Sequence, residues 1–339
     1  MVEIKISKYI QGKSILVTGA AGLVGSSLVE NLLELNSLQE IPTTVYALGR
    51  NLIKLQKRFS RYCGKEYLQL VEADVSQNIP DINVDFIVHA ASPAHPLAYA
   101  QTPVQVMQAN LLGTISALEL ARRKQARFLF LSSGEIYGVS DNPNCAFSEK
   151  DYGYIDIQNP RSCYPESKRA AETLCASYHE QYGVDTVVAR LCHVYGPAIT
   201  ETNSRADAQF LRDAMCGKDI VMKSRGEQVR SFCYVRDAVT ALLCILIRGK
   251  SGEAYNVANR QSIASVRQYA ETLAEICNIH VINSIPSEEE MKGYSKVTRA
   301  VLNAEKIEKL GWVPQYDLRS GLQDMVYSLR RNKFEKRSD

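Results

Sequence analysis

Ser14-Ile15-Leu16-Val17-Thr18-Gly19-Ala20-Ala21-Gly22-Leu23-Val24-Gly25 is the stretch on which the fold turns. Its first five residues read as a strand. Three glycines spaced three apart follow, and then Leu28, Leu32 and Leu35 recur on one face of a helix. Gly19 permits a tight turn, Gly22 lets a backbone approach a pyrophosphate, and Gly25 allows close helix packing. A pyrophosphate then rests on the free N–H groups of the helix start, where Leu23 and Val24 lie. Such a glycine string is weak evidence by itself, but between a strand and a helix it becomes strong.

Working outward, the same alternation continues. Strands are expected at residues 44–48, 68–72, 86–89, 128–131 and 186–191, with helices over 103–123 and from about Tyr164. Continuous apolar strands separated by helices predict a doubly wound parallel sheet of Rossmann type, covered on both faces, with its ligand at the carboxyl ends of the strands. Beyond residue 195 the regularity falls away. Helices over 266–277 and 304–310 alternate with Gly-, Arg- and Lys-rich segments. The expected division is a NAD(P)-binding domain over 1–195, a smaller substrate lobe over 196–330 interleaved with it, and a charged tail over 331–339.

Bulk properties fit that division and exclude other classes. A chain of 339 residues exceeds one ordinary domain, and 45% hydrophobic with 23% charged residues is a globular composition. A net charge of +3 argues neither for nucleic acid nor for a membrane surface. The apolar run 241–247 is too short to span a bilayer, and MVEIKISKYI lacks the core of a signal peptide. Nine cysteines without a C-x-x-C pair or a His/Cys cluster read as reduced thiols in a cytoplasmic protein, with no metal site expected. Cys163 stands out only because it adjoins the motif below.

The second strand usually ends in an acid that bonds the ribose of NAD. Here Leu48-Gly49-Arg50-Asn51 offers a guanidinium instead, which suits a 2′-phosphate and so NADP; Arg50 as a solvated residue or an adenine-stacking one is the alternative. Asp74-Val75 after the third strand reads as an adenine contact, with an Asp capping a turn as the rival reading.

Tyr164-Pro165-Glu166-Ser167-Lys168 puts Tyr and Lys four apart on one helix face, with Pro suited to the first turn. A phenol is too weak an acid to serve as a base near neutrality, and the expectation is that the Lys168 ammonium and a positive nicotinamide ring together make it more acidic. Ser133, in Leu131-Ser132-Ser133-Gly134-Glu135, follows a strand ending at the same crevice, where its hydroxyl can bond a reacting oxygen.

With these residues in view, the sequence resembles the extended short-chain dehydrogenases/reductases of the nucleotide-sugar epimerase/dehydratase group. The resemblance runs through TGAAGLVG, HAASPAHP at 89–96, Asn110 in NLLGT, SSGEIYG, YPESK, ARLCHVYGP at 189–197, RSFCYVRDA at 230–238 and LGWVP at 310–314. Within the group, HAASPAHP, RSCYPESKR and RSFCYV are most similar to UDP-glucuronate decarboxylases. The resemblance implies Ser133, Tyr164 and Lys168 as a catalytic triad, Lys168 also holding the nicotinamide ribose, and Asn110 as support. It further implies Ala90 against the cofactor, Ser92 against the sugar, Arg230 on the nucleotide phosphates, a homodimer, and polysaccharide biosynthesis. Two positions depart from the pattern. His193 stands where many relatives have Asn, and Asn303 replaces an Asp of the C-terminal lobe.

In this chemistry Tyr164 takes the proton of a sugar 4-hydroxyl as a nicotinamide oxidises C4. The ketone then opens three outcomes: loss of carbon dioxide from a C5 carboxylate, 4,6-dehydration, or 4-epimerisation. Glu135 is placed to act at C5, with a buried structural acceptor as the bland alternative. Gly134 stands where dTDP-glucose dehydratases carry Asp, which lowers the dehydratase reading. Arg161, Arg225 and Arg230 are candidates for phosphate or carboxylate, and His193 faces the substrate side; His95 reads as a structural histidine. The expectation is therefore a UDP-glucuronate decarboxylase-like enzyme with an internally recycled NAD(P). NAD is preferred, and NADP is left open by Gly49-Arg50. A 4-ketoreductase consuming NADPH and a non-catalytic dinucleotide sensor are the competing readings.

Overall fold

A computed structural model describes residues 2–140, 145–198, 203–284 and 297–335. Seven parallel strands form the main sheet: β1 (Ser14–Thr18), β2 (Thr44–Gly49), β3 (Leu68–Glu72), β4 (Phe86–His89), β5 (Arg127–Ser133), β6 (Thr186–Leu191) and β10 (Ala254–Val257). Their spatial order is β10-β6-β5-β4-β1-β2-β3. The chain winds outward in one direction from β1 and in the other from β4, so the crevice between those two strands is the switch point at which α/β sheets bind ligands.

Two-residue periodicity explains how both faces are buried. Ile15, Val17, Leu129 and Leu131 join one apolar cluster with α2 (Leu23–Leu35) and α8 (Val235–Arg248). Leu16, Ile87, Phe128 and Phe130 join another with α5 (Pro103–Lys124) and α6 (Cys163–Tyr182). The run 241–247 is the buried stripe of α8, where Leu242, Ile245 and Leu246 are wholly inaccessible. Each contributes roughly 2 kcal/mol by burial, and an Asp at Leu246 would leave an unpaired charge against the sheet.

After residue 195 the chain serves both layers. β10 and α8 return to the main sheet, whereas β9 (Val229–Tyr234) pairs with β7 (His193–Tyr195), β11 (Ile263–Ser265) and β13 (Arg299–Ala300) in a small separate sheet. A two-stranded ribbon, β8 (Ile220–Met222) with β12 (Val281–Asn283), completes the lobe. Around it pack α7 (Ala206–Met215) and α9 (Val266–Cys277). The helix expected over 304–310 is a single turn, α10 (Glu305–Glu308). Asn303 sits just before it and accepts the Glu305 N–H at 2.9 Å, an Asx turn that Asn makes as readily as Asp. The last helix, α11 (Leu318–Glu335), runs on into the stretch expected to be a tail, and residues 336–339 lie outside those described. No described helix is long and apolar enough to cross a membrane.

Candidate active site

The glycine loop closes exactly where the sheet order reverses. Gly19 has φ +66°, and a Cβ there would meet the Ala90 carbonyl and Ala91 Cα at 2.8 Å, so only glycine lets the loop lie on the end of β4. Thr18 locks the two strand ends together: its Oγ1 accepts the Ala90 and Ala91 N–H groups at 3.1 and 3.2 Å and donates to His89 Nδ1 at 2.9 Å. Gly22 precedes α2, whose first turn no side chain caps. Those N–H groups are free for an anion, as at any uncapped helix start.

A cavity of about 490 Å³ opens above this loop. It gathers Gly19, Gly22, Leu23, Val24, Gly25, Arg50, Asp74, Val75, Ala90, Ser92, Ser133, Tyr164 and Lys168, which the sequence reading had collected from six separate segments. The donor set fits a dinucleotide: a glycine cradle for pyrophosphate, then Arg50, Lys54 and Asp74 at one end, and Tyr164 with Lys168 at the other. Asp74 makes the turn contact of the rival reading while facing the cavity. Its Oδ1 accepts the Ser76 hydroxyl and N–H at 2.7 and 2.9 Å, and these bonds hold its carboxyl below the usual range.

Tyr164 opens α6 and is 5% exposed. Burial works against the acidification expected from Lys168. Together with the Glu135 carboxylate it pushes the phenol up to about 12, while Ser133, Arg205 and Tyr99 pull it back. Burial also brings the Lys168 ammonium down to about 7, so only part of it is charged near neutrality. Its Nζ is spent on the Leu131 carbonyl at 2.7 Å and sits 4.6 Å from the centre of the Phe130 ring. Behind the pair runs a buried chain of amide and hydroxyl groups. Ser92 donates to Asn110 at 2.7 Å, Asn110 to Ser167 at 2.8 Å, and Ser167 to the Cys163 and Tyr164 carbonyls.

Five expected residues, Glu135, Arg161, Arg230, His193 and Arg225, stand outside the cavity wall. Glu135 pairs with Arg161 at 3.3 Å, and that guanidinium lies over the Tyr99 ring. Arg230 donates to the Val297 and Val229 carbonyls at 2.8 and 3.0 Å, within the electrostatic reach of Glu135 and Arg161. His193 alternates away from Cys192 and Val194, which do line the cavity, and pairs through Nε2 with Asp207 at 3.2 Å. Arg225 is exposed and offers its carbonyl to Arg267. His95 caps the short helix α4 (Pro96–Gln101) by accepting the Ala98 N–H at 3.3 Å, and burial lowers its basicity, as a structural histidine requires. Burial likewise pushes the Cys163 thiol up, which leaves it unreactive.

Two residues that sequence reasoning missed belong to the site. Arg205 lines the cavity in the loop before α7, and its guanidinium makes no hydrogen bond or ion pair with another described residue. Tyr99, on α4, stacks on Tyr164. No motif carries either of them; both arrive from loops that tertiary packing alone brings to the crevice.

The profile of the NAD dependent epimerase/dehydratase family matches residues 15–258. The chain belongs to that family. Among its curated relatives, UDP-glucuronic acid decarboxylase 5 of Arabidopsis thaliana is 33% identical over 332 residues, 96% of this chain and 92% of that protein. UDP-glucuronic acid decarboxylase 1 of Xenopus tropicalis is 32% identical over 94% of this chain and 72% of its own. An epimerase structure from Methanothermobacter thermautotrophicus superimposes with a TM-score of 0.84 at 22% identity, covering 100% of this chain and 98% of that one. The seven-stranded sheet is thus the Rossmann sheet of this family's epimerases and dehydratases.

Proposed function

We propose that this family member acts on UDP-glucuronate, oxidising C4 and losing the C5 carboxylate as carbon dioxide, with NAD as its recycled cofactor. The observation that carries the reading is the grouping of Tyr164, Ser133 and Lys168 in one cavity with Arg205 on the same wall, its guanidinium making no hydrogen bond or ion pair with another described residue. The relatives' names point to the same substrate. A nicotinamide seated by the glycine loop and Lys168 would supply the hydride acceptor.

The chain's own residues would do the rest. The Ser133 hydroxyl favours the ionised form of Tyr164, and it would hold the sugar's O4 while Tyr164 takes the proton. Arg205 would pair with the substrate carboxylate, since a guanidinium recognises that group bidentately. Once C4 is a ketone the carboxylate is β to a carbonyl, and carbon dioxide leaves without a further base. Glu135, once Arg161 releases it, would relay a solvent proton to C5, and Tyr164 would give its proton back to O4 as the hydride returns to C4, which yields the UDP-pentose and restores the cofactor. Arg230 would hold the nucleotide phosphates once substrate competes for its guanidinium, and Ser92 and His193 would complete the sugar and lobe-side contacts.

Incubating pure protein with NAD and UDP-[13C6]glucuronate, followed by NMR, tests this directly. Labelled carbon dioxide and a UDP-pentose are expected, and their absence overturns the reading. A second reading, an NADPH-consuming 4-ketoreductase, is favoured by Arg50 and Lys54 at the adenosine end, and stoichiometric NADPH consumption in the same panel would select it. The residue 195 boundary between cofactor domain and substrate lobe, a cytoplasmic setting and a role in polysaccharide biosynthesis accompany the first reading. So does a homodimer, which the exposed Val104, Leu112 and Ile115 of α5 support.

A further inference from the structure

Tyr99 and Tyr164 form a buried pair that the triad does not explain. Their rings stack with centroids 4.8 Å apart and planes 21° from parallel, and the two are 2% and 5% exposed. The Arg161 guanidinium lies over Tyr99, 5.7 Å from its centroid, so this ring meets both a cation and the Tyr164 ring. The helix that carries Tyr99 is itself pinned. His95 caps it, and the Leu97 N–H donates to Ser204 at 3.0 Å, tying it to the loop that bears Arg205.

We propose that Tyr99 is a positioning residue for Tyr164, its ring clamping the Tyr164 ring and its hydroxyl donating the hydrogen bond that stabilises the Tyr164 phenolate. Burial, then the nearby Tyr164 and Glu135, push the Tyr99 hydroxyl far above the ordinary phenol range, so it keeps its proton and is available as a donor. The direction of the effect agrees: the bond from Tyr99 pulls Tyr164 down, against burial. The other groups facing Tyr164 are Ser133 and Glu135 beyond β5, Arg205 before α7, Arg161 and Cys163 at the start of α6, and Lys168 one turn on. Ser133 and Tyr99 are the two neutral hydroxyls among them that favour its ionised form. Lys168, assigned the task of acidifying Tyr164 in the sequence reading, is committed to Leu131.

This inference rests on Tyr164 being the proton acceptor, and its test separates the two claims. Tyr99→Phe keeps the stacked ring and removes the donor. The pH–rate profile with UDP-glucuronate should shift its acid limb upward by about one unit, a tenfold loss below the limb, with the high-pH plateau retained. Val106→Ala, which loosens the same apolar cluster, should lower stability without moving the limb. Superimposable profiles, or a uniform fall at every pH, overturn the proposal. Failure of wild-type protein to turn over any nucleotide sugar removes the proposed function alone. The inference is then decided by 19F NMR on 3-fluorotyrosine protein, with the Tyr164 signal identified by its loss in Tyr164→Phe. A midpoint about one unit higher in Tyr99→Phe is expected, and equal midpoints refute it.

Discussion

Replacing Lys168 by methionine is expected to stabilise the cofactor-free protein while ending its chemistry. The ammonium is 2% exposed, bonded to the Leu131 carbonyl at 2.7 Å and set over Phe130, with Glu172 as the closest compensating acid. Burial brings it from 10.5 to about 7, a drop that corresponds to about 5 kcal/mol at about 1.4 kcal/mol per unit. The charge-assisted bond to Leu131 offsets about 1.5–3 kcal/mol of that, which leaves the methionine variant about 2–3 kcal/mol more stable near neutrality. The sign with pH follows from proton counting. Between about pH 7 and about pH 10.5 the unfolded chain holds a proton that the folded chain has released, so wild-type stability climbs by up to about 1.4 kcal/mol per unit. Below that window both states hold the proton and the full cost is present. The variant's advantage should therefore be largest near pH 6 and fade toward about pH 10. Urea titrations followed by circular dichroism at four pH values measure it. A variant less stable at pH 6, or an advantage independent of pH, would refute the reasoning.

Three other outcomes follow from particular contacts. Gly19→Ala sets a Cβ 2.8 Å from Ala90 and Ala91 at a left-handed φ; dinucleotide affinity should fall at least about tenfold by calorimetry and stability by about 1–3 kcal/mol. Gly64→Ala, which is also left-handed but in open space, serves as the control and should leave affinity unchanged. Arg190 and Glu172, 4% and 12% exposed and 2.7 Å apart, form a buried pair that also bonds Tyr137, so Arg190→Met should cost about 3–5 kcal/mol; a loss below about 1 kcal/mol by urea denaturation would count against it. Arg205→Ala should raise KM for UDP-glucuronate about tenfold to a hundredfold, the worth of a charged hydrogen bond, and leave UDP-glucose binding by calorimetry unaffected, since that sugar lacks the carboxylate.

Sequence carried the site's frame because short-range rules govern it. A glycine that must lie on a neighbouring strand, a helix that must start uncapped, and apolar runs that must be buried on both faces each leave a local mark, so residues 14–25, the strand ends and YPESK were legible. The lobe was less so. The Ala254–Val257 strand returns to the main sheet after a long excursion, and nothing in four residues distinguishes a strand of the large sheet from one of the small. Arg205 and Tyr99 were invisible for the same reason. Each is an ordinary residue on a loop or one short helix, and only the tie between Leu97 and Ser204 brings their segments together at the crevice.

The misjudged point was an energy and not a place. Spacing of four on a helix correctly predicted that Tyr164 and Lys168 share a face, and a charged lysine there would acidify the phenol. A shared face at the heart of a sheet is also a dry one, and desolvation acts on both groups at once, raising the phenol to about 12 and lowering the amine to about 7. With the amine at about 7, its Coulombic help is only partial near neutrality. The phenolate is favoured instead by the Ser133 hydroxyl, then by the charge of Arg205, then by the Tyr99 hydroxyl. The site is therefore one in which polar donors, placed by stacking and by a pinned helix, share with one arginine the work that a lysine charge would do in water.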